Sequence, residues 1–138
     1  MTMKNFMPFK VGDIVTNEQL TRAFRVGNMG GMRRSKITNT LVIIADHTKE
    51  LYNDKWYGDE LHYTGMGKLG DQVLDKQNKT LMESDVNGVI VHLFEVFEFS
   101  KYTYRGIVKL CGKPYQEQQK DLNGNIRKVW VFPLRLNS

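Results

Sequence analysis

Residues 52–72, YNDKWYGDELHYTGMGKLGDQ, set four aromatic rings and four acids among Gly58, Gly65, Gly67 and Gly70. Surface loops are usually polar but poor in aromatics, and core strands are apolar but poor in acids. The mixture suits a pocket that stacks on a flat ring and hydrogen-bonds its edge. It equally suits a twisted hairpin with exposed tyrosines, because single exposed aromatics are common. Glu60–Gly65 (ELHYTG) alternates as a strand does, which puts Leu61 and Tyr63 on one face. Gly65 and Gly67 then turn the chain. Asp71 is placed to cap a helix running to about Asp85, with Leu74, Leu81 and Met82 facing inward.

Upstream, Thr40–Asp46 (TLVIIAD) is a continuous β-branched apolar run, the pattern of a buried strand. Val26–Ser35 (VGNMGGMRRS) joins a Gly30-Gly31 hinge to Met29 and Met32 and to Arg33 and Arg34. That composition fits a loop entering a nucleic-acid groove, or a charged hairpin loop. Thr16 or Asn17 caps a short helix, NEQLTRAF, with Leu20 and Phe24 four apart. Phe9–Val15 is a short strand broken at Gly12, and residues 1–8 are expected to be a leader. Downstream, Gly88–Phe99 is long and apolar. Tyr102, Tyr104, Gly106, Val108 and Leu110 share one face of the next strand by simple alternation. Asn123-Gly124 marks a hairpin between 116–121 and 126–136. Ile126, Lys128, Trp130, Phe132 and Leu134 form one face of its second arm, and Pro133 calls for an edge or a bulge there. Many strands and two short helices give an α+β chain, mostly β, with a curved, partly closed sheet and helices at its rim.

The bulk numbers limit the function. At 138 residues the length is that of one domain. A net charge of +5 permits a polyanionic partner without requiring one. The single Cys111 excludes an internal disulfide and a cysteine-based zinc site. No apolar run is long enough to span a bilayer, and MTMKNFMPFK lacks a signal-peptide core, so a cytoplasmic protein with no membrane partner is expected. His47, His62 and His92 are scattered, and His92, alternating with apolar neighbours, reads as a satisfied sheet histidine. No P-loop, G-x-S-x-G or G-x-G-x-x-G spacing occurs. Asp54, Asp59 and Glu60 are the only acids grouped as metal-nuclease ligands would be. No catalytic residue, cofactor or metal is expected.

Tyr52, Asp54, Tyr63-Thr64-Gly65, Asp71-Gln72 and Asn78 resemble, in order and spacing, the signature of SRA (SET- and RING-associated) domains. Asp54 precedes Tyr63 by nine positions, as in that signature. Gly30-Gly31 ahead of strand 40–46, Tyr104-Arg105-Gly106 in place of Y-D-G, and Val129-Trp130 extend the likeness over residues 9–136. It is closest to the compact bacterial version in McrA-like, modification-dependent restriction endonucleases, where the domain is commonly joined to an HNH nuclease.

The resemblance implies a PUA-like twisted, partly closed β-barrel over residues 9–138. It implies a non-catalytic reader that flips a 5-methyl- or 5-hydroxymethylcytosine out of double-stranded DNA, with a fused or associated nuclease as a further partner. Extrusion costs a few kcal/mol, and stacking returns roughly 1–3 kcal/mol per base. Tyr52 and Tyr63 would sandwich the base. Asp54 would accept from its N4 amino group. Thr64 and Gly65 backbone would meet the remaining edge. Met29, Gly30, Gly31, Met32, Arg33 and Arg34 would fill the vacated stack and hold phosphates, with Lys68 adding charge. Asp71, Gln72 and Asn78 would form a helix motif. Three departures stand out: Arg105 replaces the acid of Y-D-G, the loop Met66–Gly70 is short where eukaryotic relatives carry a longer finger, and Trp56 and Tyr57 add rings near the pocket. Two other function classes fit the residues: a PUA-like binder of modified RNA or nucleotide, and a metal nuclease.

Overall fold

The computed structural model describes residues 6–49 and 51–137; most of the expected leader, residues 1–5, lies outside them. The elements are β1 (Ile14–Val15), α1 (Asn17–Phe24), β2 (Met32–Ser35), β3 (Thr40–Asp46), β4 (Lys55–Tyr57), β5 (Glu60–Thr64), α2 (Lys76–Met82), β6 (Ile90–Glu98), β7 (Lys101–Leu110), β8 (Tyr115–Lys120) and β9 (Ile126–Leu136). They form one sheet ordered β2-β3-β6-β7-β9-β5-β4, with β1 added on β7 and β8 on β9. β3 and β6 run parallel, Thr40 opposite Ile90 through Asp46 opposite Val96; the other pairs are antiparallel. The sheet curls but does not close into a barrel.

β3 is buried on both faces, as its unbroken apolar run requires. Leu41, Ile43 and Ala45 enter one core with Leu61, Tyr63, Leu93, Phe132 and Leu134. Val42 and Ile44 enter a second core with Leu20, Phe24, Phe94 and Tyr104. α1 begins in a capping box: Thr16 Oγ1 accepts from the Gln19 amide, and Gln19 Oε1 accepts from the Thr16 amide. Its Leu20 and Phe24 are fully buried, as their spacing implies. Phe6 of the expected leader packs edge-on against Phe24, centroids 5.7 Å apart, so the folded unit starts before residue 9. His92 is buried against Tyr104, whose hydroxyl lies 2.7 Å from Nδ1. Burial pushes that imidazole down to about 4, so it stays neutral in the core.

Three details depart from simple alternation. In β7, Phe94 faces Tyr104 and Leu93 faces Gly106, so Arg105 is an extra, bulged residue. The bulge switches faces: Tyr102 and Tyr104 pack in the second core, whereas Val108 and Leu110 pack in the first. In β9, Ile126 and Lys128 are exposed, so the face they share by alternation with Trp130, Phe132 and Leu134 is buried only in its second half. Pro133 is neither at an edge nor in a bulge: it lies in the interior where β9 exchanges one neighbour, β8, for another, β7, and its carbonyl accepts from the Cys111 amide.

The bulge carries a prediction. Gly106 has φ +104°, and an added Cβ would lie 3.2 Å from Val11 Cγ2. Gly106→Ala should cost about 1–3 kcal/mol, seen as a lower urea midpoint at unchanged m-value.

Candidate functional site

The stretch 52–72 folds against β9. β4 covers only residues 60–62 of β5, leaving the outward Thr64 amide beyond its end. Asp54, one residue before β4, satisfies that amide through Oδ1 at 2.7 Å. On its other edge β5 continues past Thr64 as a loop that bonds like a strand. Gly65 N donates to Trp130 O at 2.8 Å, Trp130 N to Gln72 Oε1 at 2.9 Å, and Gln72 N to Lys128 O at 2.8 Å. Lys128 N donates to Asp71 Oδ1 at 2.7 Å. Asp71 is therefore a strand partner and not a helix cap; α2 starts later, at Lys76, with Asp75 before it.

Gln72 and Asn78 are buried and bind the turn backbone. Gln72 Nε2 donates to Gly65 O at 2.7 Å and to Gly67 O at 3.3 Å. Asn78 accepts from Met66 N at 2.8 Å and donates to Met66 O at 3.0 Å. Only glycine fits at 65, since a Cβ would lie 2.6 Å from Asn78 Oδ1 and 3.0 Å from Phe132. The Gly65 amide, expected at a ligand's edge, is thus committed to β9.

Tyr63 is 3% exposed and spans the curl of the sheet, its hydroxyl donating to Gly31 O at 3.0 Å and Ile44 O at 3.2 Å. The half-buried Tyr52 lies beside the Gly67 backbone and the Arg127 guanidinium, and both it and Tyr63 feel the Asp54 charge. Tyr52, Asp54, Tyr63 and Thr64 therefore meet at one centre. Burial pushes the Asp54 carboxyl up to about 7, with the Thr64 amide and His47 opposing and Glu95 reinforcing. A cleft of about 430 Å³ lies between residues 84–91 and 107–110, and a small one of about 20 Å³ lies outside β4 and β5. Neither is lined by Tyr52, Asp54 or Tyr63.

Behind Asp54 sits a polar cluster whose acid did not stand out in the sequence. Glu95, 1% exposed in the middle of β6, accepts from Trp56 Nε1 at 3.0 Å. His47 Nε2 lies 2.6 Å and Arg105 Nη1 3.3 Å from its carboxylate. The Arg105 guanidinium also lies over Trp56, 5.8 Å from its centroid. An acid inside the apolar run IVHLFEVF is the available signal, because a charge there requires partners.

The expected groove loop is mostly structural. Met29 is 82% exposed at its tip and Gly30 has φ +86°. Gly31 O accepts from Ile44 N at 2.8 Å, and Met32 is buried in the core, so neither reaches outward. Arg33 is 6% exposed and donates to Gly30 O at 2.8 Å and Asn17 Oδ1 at 2.6 Å. Arg34 donates to Ser35 O, to Thr40 O and to Asn39 Oδ1. These arginines are occupied inside the protein and not presented to phosphates. Lys68 is exposed on the other loop. The nuclease grouping also dissolves: Asp59 and Glu60 pair with Arg135 at 3.2 and 3.0 Å, while Asp54 turns inward. Among the described residues no group of three His, Cys, Asp or Glu could hold a metal ion. Among them, too, no helix is long and apolar enough to cross a membrane.

The Asp54 carboxyl yields a pH prediction. Its folded pKa, about 7, lies above the ordinary value of 3.8, so between those pH values the folded chain holds a proton that the unfolded chain has released. This group makes stability fall as pH rises through that window. Asp54→Asn, which keeps an oxygen for the Thr64 amide, should remove the fall. In paired urea titrations the variant's advantage over wild type should be larger at pH 8 than at pH 5; an equal difference at both would contradict the assignment.

Comparison with known proteins agrees with this geometry. The family described as "ScoMcrA-like, SRA domain" matches residues 11–137. The sulfur-binding and SRA domains of ScoMcrA, solved with phosphorothioated DNA, superpose with TM-score 0.79 at 14% identity, covering 94% of this chain and 40% of that one. The type IV phosphorothioation-dependent restriction endonuclease ScoMcrA gives 0.78 at 15%, covering 94% and 28%. The chain thus spans well under half the length of either. The SUVH5 SRA domain with hemimethylated CG DNA gives 0.73 at 23%, covering 99% and 94%. At these identities the likeness is one of fold. No curated protein matches the sequence. With the ordered Y-T-G, D-Q and Asn residues fastening one turn against β9, and the family match running almost end to end, the chain belongs to the ScoMcrA-like SRA-domain family.

Proposed function

We propose that this chain is a non-catalytic reader of duplex DNA carrying a 5-modified cytosine, taking the base out of the helix into the centre formed by Tyr52, Asp54, Tyr63 and Thr64. The observation that carries the reading is the half-buried Asp54 carboxylate, fixed by the Thr64 amide beside two tyrosines. An ionised carboxylate accepts from the cytosine N4 amino group, which thymine lacks. Tyr63 and Asp54 are fixed by their hydrogen bonds; the half-buried Tyr52 is the wall that moves to admit the base. Trp56, held by Glu95, stands near Asp54, where it bears on the choice of 5-substituent. Solved relatives of the fold carry modified DNA, phosphorothioated in one case and hemimethylated in another, which supports the same class of partner here. In this reading the chain is the targeting module of a modification-dependent restriction system, fused to or associated with an HNH-type nuclease, and acts in the cytoplasm.

A binding panel over one duplex sequence with cytosine, 5-methylcytosine or 5-hydroxymethylcytosine tests the proposal. Wild type should separate at least one modified duplex from the unmodified one. Asp54→Asn should lose that separation, since its amide NH₂ opposes the base's amino group. If about four phosphates are neutralised, the log–log salt slope should be near about −4. Equal affinity across the panel would refute the reading. Arg33→Ala, given its internal bonds, should lower stability and leave the salt slope unchanged.

A further inference from the structure

Arg127 is fixed in place, yet one edge of it is unused. It is only 3% exposed on β9 and donates from Nη1 to Gly67 O at 2.7 Å and Gly70 O at 3.0 Å. Its Nε and Nη2 are buried and have no partner among the described residues. Those two donors lie on the same edge of the guanidinium, the edge that grips two oxygens of a phosphate or carboxylate side by side. The acid nearest in charge, Asp121, does not take it, because its oxygens accept from the amides of Gly70, Asn123 and Asn125.

Two neighbours tie this edge to the Tyr52–Asp54–Tyr63 centre. Gln119 is the cross-strand partner of Arg127 in the β8–β9 pair, so the two side chains share a face. Gln119 Nε2 donates to Thr64 Oγ1 at 3.2 Å and to Glu117 Oε2 at 2.8 Å, while its Oε1 is buried without a partner among the described residues. The half-buried Tyr52 lies beside both Arg127 and the Gly67 backbone. Burying donors of a charged group without acceptors is costly, and such an edge calls for a ligand that supplies them.

We propose that the Nε–Nη2 edge of Arg127 binds a phosphate of the extruded nucleotide itself. The inference rests on the proposed function. Tyr52 is the wall that moves to admit the base, and in leaving Gly67 and Arg127 it uncovers the guanidinium edge in the same motion. Within one nucleotide the phosphate stands one sugar away from the base. Arg127 stands one side chain away from the centre, through Tyr52 on one side and through Gln119 to Thr64 on the other. Base and phosphate of the same nucleotide are then held together, the base by stacking and by Asp54, the phosphate by two parallel N–H···O bonds. The phosphate is captured only once the base has left the helix, so Arg127 strengthens the extruded state and not the first encounter.

The test uses the full chain and duplexes with one 5-methyl- or 5-hydroxymethylcytosine, read by fluorescence anisotropy. A neutral methylphosphonate replaces the phosphate 5′ or 3′ of that base or, as a control, a remote one. Wild type should lose roughly tenfold in affinity at one of the two adjoining linkages and little at the remote one. Gln119→Glu sets a carboxylate against the free edge of its cross-strand partner. It should bind the all-phosphate duplex roughly tenfold more weakly than wild type and lose nothing further at that linkage. Arg127→Lys keeps a donor for the Gly67 and Gly70 carbonyls but has no two-pronged edge, and it should lose the sensitivity too. A variant that was merely less stable would weaken on every duplex and keep it. Equal binding of wild type to all the methylphosphonate duplexes, or full sensitivity in Gln119→Glu, would overturn the inference. A loss at the adjoining linkage in modified and unmodified duplexes alike, with no preference between them, would leave the phosphate site standing and sink the base-reading proposal alone.

Discussion

The arrangement depends on the hydrogen bond from the Thr64 amide to the Asp54 carboxylate. A carboxylate taken out of water is costly unless its oxygens find donors, and a strand amide left beyond the end of its neighbour is costly for the same reason. Each group resolves the other's problem because β4 is too short to cover Thr64. Removing the acid orphans the amide, and lengthening β4 would displace the acid. The result is a half-buried carboxyl held at a fixed place and pushed up to about 7, where its charge responds to its surroundings. Groups with such displaced pKa values concentrate at functional positions.

Arg105, which stands where the family pattern has an acid, is explained by its surroundings. Arg105 shares the face of Thr103, which pairs with Glu95, so the acid missing from one strand is supplied by the neighbouring strand. Glu95 meanwhile fixes the Trp56 indole and His47. Alternation from Tyr104, which packs in the second core, already points Arg105 to the opposite face; the bulge redirects the residues after it, Val108 and Leu110. The glycine that follows is what lets the backbone shift by one residue, with φ at +104°.

Much of this could be read from sequence because the signals were local. The β3 run, the α1 cap and the alternation of Leu61 and Tyr63 each need only neighbours a few residues away, and the Y-T-G, D-Q and Asn spacing was enough to name the family. Where the reading failed, the deciding partner was distant in sequence. Asp71 prefers the Lys128 amide, 57 positions away, to the start of a helix. Arg33 finds Asn17, 16 residues earlier, and Met32 is buried in the first core, so a basic, methionine-bearing loop became packing. Pro133 looked like an edge because a missing amide usually needs one, but a strand that changes neighbours at that point tolerates it equally. Glu95 and Arg127 were legible only as charges at positions whose neighbours are buried.

The distribution of fixed and free groups around the centre also bears on how a ligand would enter. Tyr63 is tied to two carbonyls, Asp54 to an amide, and the 65–72 turn to β9 and α2 through Gln72 and Asn78. Each bond lowers the ordering entropy that binding would otherwise have to overcome. Tyr52 is the exception, half-buried and lying against a loop backbone. A site with one movable wall and otherwise rigid surroundings confines the cost of opening to a single side chain. On the proposed reading that cost adds to base extrusion, and the stacking of the base on the displaced ring offsets it. A site flexible throughout would have to order several groups at once, and the preference for one modified base would weaken accordingly.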